Sequence, residues 1–363
     1  MKRYLGFILN AGRGERWLAA LAFSSVLPLL GMAAERGSVV EERIESDVLR
    51  ENRIGLDVTR QVKVYLPPGY ERSERRYPVV YYLHNTFWSP DQMFADGNLV
   101  RLLERAFEAG VTKEFIFVAA NYTTPTTGSL YENSPVTGRW LDFTVRELVP
   151  FIDGNFRTLP RRESRAVVGD FFGGRGALKL AMVHAEMFSV AYALHPVATG
   201  NGEASWARLD VNWAEILRAK SVDEVRSGGR TWIFLAISQA FLSNVDRPPF
   251  YCDFPFELQD GEARLHVENT LRAKRAFLLE ETLSESAANL RTMRGLALDW
   301  GRFDPTQAHV KSNRLFSQLL EDLGVEHEAE EYTGGPWDKT WTEDGRFAAR
   351  VLPFLGRRLG FGE

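Results

Sequence analysis

The sequence predicts an α/β fold: a mainly parallel central sheet with helices on both faces and one inserted segment. Three observations predict it. Short apolar runs alternate with stretches of helical periodicity. Several of those runs are apolar throughout, as strands buried on both faces must be. The alternation lapses from about residue 199 to 292 and then resumes. A chain of 363 residues with 45% hydrophobic and 25% charged residues is large enough for one sizeable core with an insertion.

In chain order, 39–48 and 61–66 read as strands, the second alternating apolar and polar before Pro67-Pro68-Gly69-Tyr70 breaks it. Residues 78–83 form a continuous apolar run that ends at His84-Asn85-Thr86. Helical spacing follows at 99–109, a buried strand at 115–120, and a helix at 140–156 with Leu141, Val145, Leu148 and Ile152 on one face. Ala166 to Val168 lead into Gly169-Asp170-Phe171-Phe172-Gly173-Gly174, and the helical pattern Ala177, Leu178, Leu180, Ala181 comes directly after. A strand at 190–194 ends at His195-Pro196. The insertion carries a helical pattern at 213–219, an apolar run at 232–241, the aromatic cluster Phe250 to Phe256 and polar helical sequence to Leu290. Strand 296–300, helix 309–323, strand 328–332 and helix 345–359 complete the chain, without internal repeats or low-complexity tracts.

Composition excludes several functions. The net charge of -4 is spread along the chain with no basic stripe, so no nucleic-acid partner is expected. Cys252 is the only cysteine, which excludes an internal disulfide and any C-x-x-C metal or redox motif. No two histidines stand at an i, i+4 spacing beside an acidic cluster, so neither a metal nor another cofactor is expected. At the N-terminus Lys2, Arg3, Arg13 and Arg16 precede the apolar segment 17–30 and the small residues Gly31-Met32-Ala33-Ala34. That is the order of a secretory signal, and the segment falls short of the roughly 20 apolar residues needed to span a bilayer. The expected organisation is a signal peptide at 1–34 that directs export, a first core portion at 35–198, an inserted cap at 199–292 and a second core portion at 293–363. No membrane span is expected once the signal is removed.

The stretch 164–178, SRAVVGDFFGGRGAL, organises the rest: a strand, a sharp turn and a helix. Its glycines fit the G-x-S-x-G nucleophile elbow, in which a strained turn lifts one side chain above the sheet. The residue at that position is Phe171, and a benzyl group cannot attack a carbonyl. The elbow's positive φ is costly for a phenylalanine, so Phe171 is expected either to relax or to be held by packing of its ring against Trp337 or the cap.

With these residues in view, the chain resembles the esterase D, S-formylglutathione hydrolase and feruloyl esterase group of α/β-hydrolases. The resemblance rests on Tyr65-Leu66-Pro67-Pro68-Gly69-Tyr70, Tyr77 to His84, the helix Glu147 to Asp153, the elbow with Arg175-Gly176-Ala177-Leu178, and Gly301-Arg302-Phe303-Asp304. It implies an α/β-hydrolase fold and carboxylic-ester chemistry, in which a serine attacks the acyl carbon, a histidine takes its proton, an aspartate orients the histidine and main-chain N–H groups hold the oxyanion. Phe171 stands at the nucleophile position and Asp304 at the acid position. Where the family reads Gly-Gly-His, this chain reads Gly334-Gly335-Pro336-Trp337. None of its six histidines lies beyond His327, so the standard serine mechanism is not possible. The implied oxyanion donors are the N–H of Phe172 and one near Asn85 or Thr86, with Asn85 replacing the family's usual glycine.

Other residues are candidates for chemistry or binding. Asp170 beside the elbow is a possible nucleophile, although shifting the motif by one places Phe172 where a small residue is needed. Cys252 either faces the pocket or is a small buried hydrophobe. His84 and His195 both end core strands; they either face one cleft with Asp304 as a general acid and base, or hydrogen-bond to loop backbone. Tyr122, Glu132 and Arg139 fall where the fold puts a pocket loop, with surface pairing as the alternative for the two charges. Trp337, Tyr251 and the aromatics near it either line a chamber floored by Phe171 and Phe172 or form the cap's own core. Three functional classes stay open: an exported esterase relative that binds an aromatic or acyl small molecule without serine-type hydrolysis, an ester hydrolase or a lyase or isomerase working through His195, His84, Asp170 or Asp304, and an envelope protein that binds partners through the cap.

Overall fold

The central sheet has eight strands: β1 (Ser38–Glu45), β2 (Thr59–Leu66), β3 (Val79–Leu83), β4 (Ile116–Ala120), β5 (Arg165–Asp170), β6 (Val190–Leu194), β7 (Gly295–Gly301) and β8 (Glu328–Tyr332). This computed structural model describes residues 36–200, 211–227, 231–337 and 340–362, so the signal-like segment 1–34 lies outside the described residues. The strand order is β1-β2-β4-β3-β5-β6-β7-β8. The pairs β1 with β2 and β2 with β4 are antiparallel, and every pair from β4 to β8 is parallel. Strand β2, near the sheet edge, alternates between partly exposed and buried residues along its first half. Strands β3 to β7 are buried along their whole lengths, which is why they read as continuous apolar runs.

Pleating divides the core into two layers. Tyr81 and Val167 face one side, where they meet Leu141, Leu148 and Ile152 of the helix α1 at 140–155, Leu178 of α2 (Phe172–Val183), and Phe316 and Leu320 of α3 (Gln307–Asp322). Val80, Tyr82, Ala166 and Val168 face the other, against Leu99, Leu102 and Leu103 of the helix Asn98–Glu108 and Phe354 and Leu355 of the C-terminal helix.

Between the directly paired strands β6 and β7 the chain runs through the helices Trp213–Arg218, Trp232–Phe241, Val267–Phe277 and Leu283–Leu290. The last of these packs against α2. The aromatic cluster holds this insertion together: the rings of Trp213 and Phe256 stack at 4.9 Å, and Phe250 and Cys252 join Trp213, Ile216 and Leu235 in a small separate core. One element escapes the helical reading, a hairpin of Phe256–Gln259 with Glu262–Leu265. Asp260 and Gly261 both have positive φ (51° and 79°) at its tip, as a tight hairpin turn requires.

Candidate active site

The elbow joins β5 to α2 at the carboxyl end of the sheet. Its two key glycines are fixed by close approach: a Cβ on Gly169 would lie 2.2 Å from the Gly173 carbonyl oxygen, and one on Gly173 would lie 1.9 Å from that of Leu83. Phe171 sits between them with φ 56° and ψ -113°. Its N–H donates to the Leu194 carbonyl (2.9 Å), and its own carbonyl accepts from Arg175 N–H (3.0 Å), the bond that starts the helix. The N–H groups of Phe172, Gly173 and Gly174 therefore have no acceptor within the helix. Phe171 has not relaxed. Its ring is held by Trp337 (centroids 4.7 Å apart), Phe172 (5.3 Å) and, edge-on, His309 (5.5 Å), with Phe87 and His195 just beyond at 6.2 and 6.4 Å.

Asp304, after β7, is 4% exposed and meets three donors. Thr306 N–H reaches Oδ1 at 2.7 Å, while His195 Nε2 and His309 Nδ1 reach Oδ2 at 2.7 and 2.8 Å. Burial pushes this carboxyl up, but the hydrogen bonds from His195 and His309 outweigh it and hold the group well below the usual carboxylate range. The two imidazoles differ. His195 is 2% exposed, and its Nδ1 accepts the Gly301 N–H at 2.9 Å, so the ring hydrogen is on Nε2 and both nitrogens are engaged. His309 gives its Nδ1 hydrogen to Asp304, and its Nε2 has no protein partner among the described residues while the side chain is 16% exposed.

One ligand atom from each of these three residues lies within 4.8 Å of the others, so the side chains converge as metal ligands do. Histidine spacing in the sequence does not reveal such a group because its members come from three separate elements. The hydrogen bonding does not suit a metal, however. With Nδ1 of His195 occupied by a backbone donor, the Nε2 that faces Asp304 carries a hydrogen and offers no lone pair.

The strand order and the elbow set against the comparisons decide the family. A sequence model described as Putative esterase matches residues 55–344. The chain belongs to this esterase family. It is 29% identical over 284 residues to esterases from two strains of Mycobacterium tuberculosis, covering 76% of this chain. The chain spans about half the length of these curated relatives, 52%. Among solved structures it is similar to a ferulic acid esterase (TM-score 0.59, 19% identity, 90% of this chain and 100% of the other). It is also similar to S-formylglutathione hydrolases from Agrobacterium tumefaciens (0.54, 14%, 90% and 98%) and Staphylococcus aureus (0.52, 12%, 87% and 99%). These likenesses establish the α/β-hydrolase fold.

Within this esterase fold the remaining candidate residues are placed as follows. The loop after β8 reaches the elbow: Gly334 and Gly335 pack on Gly301, and the side chain it brings to Phe171 is Trp337, one residue after Pro336. Asn85 is not a free oxyanion donor, because its N–H is given to Asp170 Oδ1 (3.0 Å) and its side-chain amide to Oδ2 (2.6 Å). Those bonds point Asp170 toward β3, away from a nucleophile's place, and burial raises its carboxyl to about 6. Thr86 is buried, and its hydroxyl has no partner among the described residues. His84 is not part of the cleft. Its Nδ1 donates to the Asn85 carbonyl (2.7 Å), its Nε2 accepts from Tyr122 N–H (2.9 Å), and burial lowers it to about 4. Of the two strand-end histidines, only His195 meets Asp304.

Tyr122 is a core residue, not a pocket one: it is wholly buried, its hydroxyl is 2.8 Å from that of Thr144, and its ring packs on Tyr131, Trp140 and Phe143. Glu132 and Arg139 are also committed elsewhere. Glu132 accepts from the fully buried guanidinium of Arg175 at 3.2 Å, and Arg139 pairs with Asp142. Tyr251 lies in the insertion, bonded through its backbone to Asn244 and Arg247, and shares no ring contact with Phe171. Cys252 is 2% exposed, with burial pushing its thiol well up, so it is a small core residue. Phe172 packs against Ile237, Phe241 and Phe277 beneath the inserted helices. The residue that sequence reasoning missed is His309. Its signal was present as an acid and a histidine flanking a helix start, Asp304-Pro305-Thr306-Gln307-Ala308-His309.

Proposed function

We propose that this esterase-family chain binds an aromatic or acyl small molecule beside Phe171, at the carboxyl end of the sheet, and forms no acyl-enzyme there. The observation that carries the reading is the benzyl ring at the elbow tip, where the fold would hold a nucleophile, seated within 5.5 Å of both Trp337 and His309. A group retained in strained backbone without a hydroxyl or thiol is explained by what its ring packs against. Phe87, Phe171 and Trp337 supply an apolar wall at the carboxyl ends of the strands, and the leading N–H groups of α2 supply donors for a carbonyl or carboxylate. The loss of the family histidine at Pro336 agrees with it. The esterases and hydrolases among the relatives point to an acyl compound as the ligand class. Export belongs to the same reading, supported by the charged, apolar and small-residue order of 1–34.

Calorimetric titration with ferulate and with octanoate tests it. At least one is expected to bind saturably and to quench tryptophan fluorescence, with the quench lost and the binding kept in Trp337→Phe. A fluorophosphonate is expected to leave the mass of the protein unchanged. Absence of heat and of quenching with both ligands up to millimolar concentration would sink the reading.

A further inference from the structure

We infer that His309, oriented by Asp304, is a general base that directs water onto an acyl group bound beside Phe171, so that the chain hydrolyses esters directly without a covalent intermediate. This rests on the binding reading above and adds a reaction to it. Asp304 accepts the Nδ1 hydrogen of His309 at 2.8 Å, which leaves Nε2 as the ring nitrogen that can accept a proton. That nitrogen has no partner among the described residues, the side chain is 16% exposed, and the ring stands edge-on to Phe171 at 5.5 Å. No other imidazole at the site has a free nitrogen: His195 spends one on Gly301 and the other on Asp304.

His195 is a positioning residue. It donates to Oδ2 of Asp304, the oxygen that also meets His309, while Thr306 N–H holds Oδ1, so the acid presents Oδ2 to His309 in one orientation. The acid at the family position is thus paired with a histidine from the following helix instead of one from the loop after β8.

The step balances without a further reactant. Nε2 of His309 takes a proton from water as the water oxygen forms a bond to the acyl carbon. The carbonyl electron pair moves to oxygen, where the Phe172 N–H can meet it, and returns as the bond to the leaving alcohol breaks. The alcohol oxygen takes the proton from Nε2, giving a carboxylic acid and an alcohol. With the Asn85 N–H already committed to Asp170, the oxyanion has one donor fewer than a full hole, which slows turnover by about 10²–10³-fold.

The test uses the full chain with methyl ferulate, measuring binding by tryptophan quenching and hydrolysis by product formation. Slow multiple-turnover hydrolysis above buffer is expected, with no initial burst and no acyl mass on the protein. His309→Gln should lose about 10²-fold or more of it while still binding the ester. His309→Ala should regain rate when imidazole is added to the medium, which a merely structural role would not produce. Binding without hydrolysis above buffer, or a rate unchanged in His309→Gln and insensitive to imidazole in His309→Ala, overturns the inference and leaves the binding reading standing. Failure to bind the ester overturns both.

Discussion

Replacing Phe171 with alanine and with glycine separates the two forces that set the elbow. Alanine keeps a Cβ at φ 56° and ψ -113° but loses the ring contacts with Trp337, Phe172 and His309. Truncating a fully buried phenylalanine costs about 3–5 kcal/mol, and the half-buried Phe171 should lose roughly half of that. Glycine loses the same contacts but relieves the backbone strain, about 1–3 kcal/mol for a residue with a Cβ. Against that relief stands the greater freedom of glycine in the unfolded chain, about 0.4–1 kcal/mol. The net expectation is that Phe171→Gly is more stable than Phe171→Ala by about 0.5–2 kcal/mol, with the general preference of an N-cap for glycine over alanine acting in the same direction. Urea denaturation followed by circular dichroism, with equal slopes for the two variants, reads the difference. An alanine variant as stable as the glycine variant, or more so, would refute the claim that the elbow is strained and held by ring packing.

Three further outcomes follow from buried groups. Burial lowers His84 to about 4 from its ordinary 6.5, so the folded chain binds fewer protons than the unfolded one in that interval. Stability from this group is complete above pH 6.5 and lost as pH falls toward 4, on the order of 3 kcal/mol, while Asp170, raised to about 6, works in the opposite direction. The difference in acid stability between wild type and His84→Gln isolates the histidine, and identical slopes would show that it is not held neutral by burial. Arg175→Ala should cost about 3–5 kcal/mol in thermal or urea unfolding, because it strips Glu132 and the carbonyls of Leu130 and Phe277 of a fully buried partner; a loss under 1 kcal/mol would contradict that. Cys252 should resist an aromatic disulfide reagent in the native protein and react at once in denaturant, and rapid native labelling would show that the insertion's core opens.

Most of the sheet was legible in the sequence because burial on both faces writes itself directly as unbroken apolar runs. Residues 190–194 were readable to the residue on that ground; the partly exposed edge strand at 328–332 has no such run and was placed by the strand–helix–strand alternation, and the elbow announced its own backbone through glycines that no larger residue can replace. The hairpin at 256–265 was not, because an aromatic cluster that builds a small core reads the same in either secondary structure, and its one signal was Asp260-Gly261. In the candidate site, the family resemblance pointed to Asp304, and the strand end pointed to His195 with two alternatives, of which the structure shows both an Asp304 contact and a backbone bond to Gly301. Tyr122 and Glu132 were misplaced because polar aromatic sequence in a long loop looks like a pocket wall. Here Tyr122 is core packing, and Glu132 satisfies Arg175, whose full burial only the packing of the elbow helix against the insertion reveals. His309 escaped for a different reason: the base was sought in the loop after β8, whereas a second histidine meets the acid from the first turn of the following helix, five residues on in the sequence.

Intact-mass measurement of the purified protein during incubation with an activated aryl ester tests the central claim most directly, that the elbow no longer forms a covalent bond to an acyl group. The account predicts an unchanged protein mass at every time point, even as ester is consumed. An added acyl mass, on any residue, would contradict it.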